Sequence, residues 1–260
     1  MKATAANARN FVVSFCRILI GLAVLTGHQP GWAQKAQPES LEVVHRVKPV
    51  PGRTQMFEQA LVEHLVWLRE QGDAWRWNSW EVIVGQDTGS YVIRSGGHAW
   101  SEFDGRGSLE RRSAARWAQD VAPSVESMVS EIYLQRADIS RKNENLEDAT
   151  LLSTNRLLVK YDRFADFSSI LAPLAQAMKS SEYVFFRWQM LLNGGEQYIL
   201  SFDFPKRTWA DNLPQTPFWS MVADVHGEAE AERMRRIWFE SIVKHDTGMD
   251  LYRDDLSSRP

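Results

Sequence analysis

Cysteine is all but absent from this 260-residue chain: the single one, Cys16, stands ahead of a short apolar run near the N-terminus. A lipoprotein cysteine would follow such a run, so its position speaks against lipid attachment. Everything downstream is cysteine-free, which excludes disulfides, thiolate nucleophiles, Cys-ligated zinc and iron–sulfur clusters there. Long hydrophobic runs are missing too. The stretch 18–25 falls far short of the roughly 20 residues a spanning helix needs, and no later stretch approaches that length. The common catalytic signatures are absent as well: there is no G-x-S-x-G, no H-E-x-x-H and no P-loop. Gly105-Arg106-Gly107-Ser108 lacks the third glycine of a dinucleotide fingerprint.

The N-terminus reads as a cleavable export signal. Lys2, Arg9 and Arg17 give it positive charge, no acidic residue precedes Glu39, and Gly31-Trp32-Ala33 supplies small residues for cleavage after Ala33. Periplasmic or secreted localisation is the expectation, with no stable membrane insertion after cleavage. Removing residues 1–33 takes three bases from 30 and no acid from 33, leaving 27 against 33 and a net charge of −6. A phosphate-binding partner needs a basic face, so nucleic acid is not expected.

The remainder contains an internal repeat at an offset near 110 residues. Phe57, Leu61, Leu65 and Leu68 space out a helix face that Phe167, Leu171, Ala175 and Met178 reproduce. Trp80 and Tyr91 find echoes in Trp188 and Tyr198, and 99–101 in 208–210. The stretch 126–129 resembles 240–243, and Arg136-Ala137-Asp138-Ile139-Ser140 resembles Arg253-Asp254-Asp255-Leu256-Ser257. A motif kept in both copies reads as a structural turn or cap.

Each half spells the same elements. Strands are expected at 43–47, 77–84 and 91–94, a helix from Thr54 to about Glu70, helical structure over 109–129 interrupted near Pro123, and a closing strand at 132–135. The second half gives strands at 157–161, 183–192, 197–204 and 249–252, a helix through Met178, and helices at 218–223 and 228–244. The expected organisation is a leader (1–33), a first repeat (41–140), a polar linker (141–155) and a second repeat (156–257). The order β-α-β-β-α-β is the ferredoxin-like unit, whose sheet leaves one face bare. The fold class is therefore α+β: two tandem ferredoxin-like βαββαβ units pairing their sheets into an intramolecular α+β barrel.

With Pro51-Gly52 before the first helix and a Trp/Tyr-rich central hairpin, the sequence resembles the dimeric α+β-barrel superfamily, with its antibiotic-biosynthesis-type monooxygenases, stress-responsive barrels and NIPSNAP-like proteins. The resemblance implies a barrel interior that takes a small molecule, cofactor-independent oxygenase chemistry in some members, and haem in others.

Seven residues are candidates for a ligand site. His64 falls on the apolar face of the first helix, where the second copy has Leu174; it reads as a ligand-contacting base or a haem ligand, or else as a core histidine. His98, beside Gly96-Gly97, reads as a loop group with a function or as an exposed turn histidine. Trp80, Tyr91, Trp188 and Tyr198 make either core or an aromatic wall for a flat ligand. Arg94 lies near Glu102 and Asp104, themselves read as a solvated loop. No metal site is expected. The leading reading is an exported barrel that binds a small apolar or aromatic ligand or serves a non-catalytic role. The alternatives are a cofactor-independent monooxygenase-type enzyme and a haem-binding protein using His64.

Overall fold

The computed structural model describes residues 40–141, 149–181, 186–195, 199–212 and 216–258. The stretch read as a leader and Tyr198 lie outside the described residues, as does most of the polar stretch after Arg141. Among the described residues, eight strands alternate with six helices: β1 (Leu41–Pro49), α1 (Thr54–Glu70), β2 (Asn78–Val84), β3 (Tyr91–His98), α2 (Trp100–Gly105), α3 (Gly107–Asp120), β4 (Val125–Gln135), β5 (Leu151–Val159), α4 (Phe164–Ser180), β6 (Arg187–Asn193), β7 (Ile199–Lys206), α5 (Phe218–His226), α6 (Glu228–Ser241) and β8 (Ile242–Tyr252).

The strands close into a barrel in the order β1-β3-β2-β8-β5-β7-β6-β4, every neighbouring pair antiparallel. Each half thus contributes a four-stranded ferredoxin-like sheet, and the seams are β2–β8 and β4–β6. The order follows from the sequence pattern. α1 buries Phe57, Ala60, Leu61, His64, Leu65 and Leu68, and α4 buries Phe167, Ile170, Leu171, Leu174, Ala175 and Met178 along the matching stripe. Each stripe covers the outer face of its own sheet. The inner faces then have only each other to pack against.

Two expectations are corrected. The stretch after Pro123 is strand, not helix: β4 begins at Val125 and pairs with β1 from there to Leu134. Its first half carries Glu126, Ser127 and Ser130, polar residues that hide a strand from pattern reading. β5 likewise opens at Leu151, inside the stretch read as linker.

The Arg-x-Asp-x-Ser motifs prove to be seam clasps. After β4, Arg136 pairs with Asp138 and its backbone N–H donates to the carbonyl of Trp188, whose own N–H donates to Ser140 Oγ at 2.9 Å. After β8, Arg253 pairs with Asp255 and donates to the carbonyl of Ser79, whose N–H reaches Ser257 Oγ at 2.9 Å. Each turn therefore stitches one unit to the other. Replacing Ser140 or Ser257 by Ala strands a buried N–H and is expected to cost about 1–3 kcal/mol. Because the clasps lie on different seams, the double variant is expected to show the sum in urea denaturation.

Candidate functional site

Side chains alternate across a strand, so the inner face of each strand can be listed by parity. The inner positions carry two kinds of residue. Val44, Trp80, Val82, Val92, Leu152, Leu191 and Ile199 form an apolar lining, with Tyr252 packed on Trp80 at a ring separation of 5.0 Å. The others are charged. Arg94 Nη1 donates to Asp203 Oδ2 at 2.9 Å, and Arg187 Nη2 reaches the same oxygen at 2.9 Å. Arg187 Nη1 lies 3.3 Å from Glu42 Oε1, while Gln189 donates to the other Glu42 oxygen. Nearer the β2–β3 hairpin end, Arg46 Nε and Arg156 Nη2 both hold Glu131, at 2.9 and 2.6 Å.

Most of these links join one unit to the other: Arg94–Asp203, Glu42–Arg187 and Glu131–Arg156. Arg94 and Asp203 occupy corresponding places, each paired in its sheet with the residue two before the inner-facing position of Trp80 or Gln189. The two units thus meet with opposite charges at one equivalent position. Burial works against ionisation of Asp203, but Arg94 and Arg187 outweigh it and hold the carboxyl below the usual range.

Asp250 is the exception. It is 2 % exposed, its Oδ2 has no hydrogen-bond partner, and its nearest cation, Arg94 Nη2, lies 3.8 Å away. Burial raises its carboxyl to about 6, with Arg94 opposing. Nε of Arg94, Arg156 and Arg187 are also buried without a hydrogen-bond partner. Buried polar groups in native proteins are nearly always bonded, so this cluster marks where a further polar group belongs.

Of the seven sequence candidates, Trp80 and Arg94 line this interior. Trp188 does not. The carbonyl that Arg136 reaches on Trp188 corresponds to the one Arg253 reaches on Ser79, so Trp188 matches Ser79, not Trp80. That slip of one residue turns the side chain outward, where it packs on Phe202 at 4.6 Å. Tyr91 also faces outward, against Phe57, with its hydroxyl donating to Glu58 Oε1 at 2.6 Å. An aromatic wall of all four rings is therefore not what lines the barrel. The residues missed by sequence reasoning are the inner-facing acids and the arginines other than Arg94. Their signal was a charge flanked by apolar neighbours, as in Phe202-Asp203-Phe204.

His64 sits between α1 and α3, not between the sheets. It is 3 % exposed, Nε2 lies 3.1 Å from Ser113 Oγ, and its ring is flanked by Trp67 and Trp117. Nε2 is engaged by Ser113 and Nδ1 is buried within the α1–α3 packing, so neither nitrogen is open to a haem iron and His64 does not fit an axial ligand. Among the described residues no other histidine points into the barrel: His45 stacks on Trp77, His98 on Trp75, His226 bonds Pro173 and His245 bonds Asn155.

His98 is not an exposed turn residue. Its ring stacks on Trp75 at 3.7 Å and 17°, and the Arg106 guanidinium lies 3.8 Å from the same tryptophan ring, which places the two on opposite faces. Arg106 is fixed by both oxygens of Asp73, and Asp73 also accepts from Trp77 Nε1 at 3.1 Å. Glu102, expected in a solvated loop, accepts from Trp75 Nε1 at 3.2 Å and from the Ala99 backbone at 3.0 Å, and approaches His98 Nδ1.

No family model and no curated protein matches this sequence. Solved structures do. An anthrone oxidase-like protein superposes with a TM-score of 0.54 at 9% identity, covering 86% of this chain and 95% of its own. A candidate monooxygenase of Lactobacillus acidophilus NCFM gives 0.52 at 8% identity, covering 85% and 96%. A candidate chlorite dismutase gives 0.51 at 12% identity, covering 84% and 96%. At such identities the likeness speaks of architecture alone: this chain has the fold of the dimeric α+β barrels, made within one polypeptide.

Proposed function

We propose that this protein is an exported barrel that binds a small molecule between its two sheets. The ligand's apolar or aromatic body rests on Trp80, Val82, Leu152 and Tyr252, and a hydrogen-bond donor on it meets Asp250. The observation that carries this reading is the Asp250 carboxyl, buried with one oxygen unbonded beside that apolar lining. The basic N-terminus, the short apolar run after it and the small residues ending at Ala33 support export, and the absence of a basic excess supports a small ligand rather than nucleic acid.

Native mass spectrometry of the purified protein tests it. A co-isolated small molecule is expected on the wild type and its loss on Asp250→Asn. The same variant is expected to be more stable without ligand. A carboxyl raised to about 6 binds its proton more readily folded than unfolded, so its contribution falls as pH rises from about 4 through 6. At pH 7 the folded state therefore carries a penalty, which Asn removes: a gain of about 1–3 kcal/mol. The fall of Tm between pH 4 and 6 should flatten in the variant. A bound ligand unaffected by Asp250→Asn would sink the reading.

A second reading, cofactor-independent catalysis of the monooxygenase type on the same ligand, is favoured by one observation. A carboxyl titrating near 6 exchanges a proton readily at neutral pH, as a general base must. The structural likeness to an anthrone oxidase-like protein and a candidate monooxygenase supports it at the level of fold. Oxygen uptake with the co-isolated molecule, abolished in Asp250→Asn, is its test.

A further inference from the structure

Ser95 and His98 are three residues apart on β3, an odd spacing that in a regular strand sends two side chains to opposite faces. A bulge changes this. Leu41 stands opposite His98 and Glu42 opposite Gly96, which leaves Gly97 as the extra residue, with a φ of 88°. Glycine adopts that left-handed conformation without steric cost. His98 is thereby brought to the face of Ser95, with Nε2 2.8 Å from Ser95 Oγ. One helical turn later, Glu102 sets Oε2 3.2 Å from His98 Nδ1. The atoms are those of a nucleophile, base and orienting acid, linked in the working sense.

We propose that Ser95, His98 and Glu102 form an acyl-transfer site, separate from the barrel interior, that hydrolyses small carboxylic esters. Glu102 accepts from Nδ1–H, which leaves Nε2 free to take the Ser95 hydroxyl proton. Burial keeps the imidazole neutral, its titration lowered from the ordinary value while Glu102 opposes the shift. The stack on Trp75 fixes the ring plane. Solvent reaches the chain at Gly96 and Gly97, where a Cβ on Gly97 would meet nothing within 4 Å. Ser95 itself is 1 % exposed. The neighbouring α2 buries none of its residues and leaves Trp100 43 % exposed, so solvent also borders the site on that side.

In the reaction, Oγ bonds to the ester carbonyl carbon as its proton passes to His98 Nε2. The bond to the alcohol oxygen breaks, and that proton leaves on the departing alcohol. Water, deprotonated by the same nitrogen, then releases the carboxylic acid and restores Ser95. No oxidant or reductant takes part.

The full chain is treated with phenylmethylsulfonyl fluoride and mapped by mass spectrometry, and p-nitrophenyl acetate hydrolysis is followed beside it. One sulfonyl adduct on Ser95 is expected, together with hydrolysis that Ser95→Ala lowers about 100-fold. Glu102→Gln is a positioning change. It should lower kcat and move the acid midpoint of the pH–rate profile downward, because His98 keeps the opposing charges of Arg106 and Asp73 but loses the carboxylate that raises it. If Ser95→Ala fails to fold, Ser95→Cys gives the readout, since no cysteine follows Cys16 in the chain and peptide mapping separates the two. Alkylation of that variant by iodoacetamide at pH 7 should outpace that of a free thiol. An unmodified Ser95, hydrolysis unchanged in Ser95→Ala, a Glu102→Gln effect confined to Tm, or slow alkylation of Ser95→Cys overturns the proposal. None of these outcomes touches the barrel interior.

Discussion

Asp203→Asn is expected to cost about 3–5 kcal/mol, far more than a surface carboxylate would. The carboxyl is 0 % exposed and receives two guanidinium groups on one oxygen, Arg94 from the first unit and Arg187 from the second. Asn keeps the shape but removes the charge that those two cations were buried against. Arg187 retains Glu42 at 3.3 Å, and Arg94 is left with the charges of Glu42 and of Asp250, the latter 3.8 Å away, and with no hydrogen-bonded carboxylate. In the variant Asp250 keeps the attraction of Arg94 but loses the repulsion of the Asp203 charge, so its carboxyl should fall from about 6. The two carboxyls are thus coupled, and a double-mutant cycle with Asp250→Asn should give an interaction of at least about 1 kcal/mol. The pH dependence has the sign opposite to that of Asp250. Asp203 is held below its ordinary range, so its contribution is present above the ordinary carboxylate range near 4 and is lost as pH falls further, through the lower folded value. Urea midpoints of the variant should accordingly converge with wild type in strong acid. A loss below about 1 kcal/mol at pH 7 would show that the inter-unit pair adds no net stability.

How much of this was legible in the sequence depends on which physical signal a residue carries. The stripes on α1 and α4 were plain, because a buried helix face repeats its apolar residues at 3.6-residue spacing and both copies obey an offset of 110. The Arg-x-Asp-x-Ser turns were legible as structure, because the same pattern occurs in both halves. The barrel interior was not. A charge inside a strand ordinarily marks a solvent face, and Glu42, Arg46, Glu131 and Asp203 all read that way until closure turns that face inward. Trp80 and Trp188 invited pairing by type, whereas the sheets pair them one residue apart. His98 was visible as a candidate, but its partner Ser95 was not, because period-2 alternation sets them on opposite faces. Only the bulge at Gly97 brings them together, and bulges leave little trace beyond a glycine. The same closure that hid the charges also explains the apolar half of the interior. Val44, Val82 and Val92 sit among the ion pairs and exclude water from them, which strengthens each attraction and makes each unpaired group more costly.

Gly194→Ala should be among the most damaging single substitutions in the chain. The residue begins the turn between β6 and β7, with a φ of 84° that disfavours a side chain by about 1–2 kcal/mol on its own. The larger obstacle is the neighbour. A Cβ at Gly194 would be driven onto the carbonyl oxygen of Ser130, with the Ser130 carbonyl carbon at 3.0 Å and Glu131 Cα at 3.1 Å. These are backbone atoms of β4, fixed by pairing to β1, so nothing there can rotate aside. Relief requires moving the turn away from β4. β4 pairs with β6 only from Ile132 to Gln135, so such a movement opens the seam that closes the barrel. A loss of about 3 kcal/mol or more is expected, together with exposure of the interior ion pairs. Gly85, at the corresponding turn of the first unit, faces the carbonyl oxygen of Thr247 at 2.9 Å and should behave similarly but more mildly. Gly89 is the control. Its φ of 85° is nearly the same, but a Cβ there meets nothing within 4 Å, so Gly89→Ala should cost only the conformational part. The comparison separates strain from collision by thermal unfolding alone. Should Gly194→Ala and Gly89→Ala lower Tm equally, the close approach of the turn to β4 is not what closes the barrel at this seam.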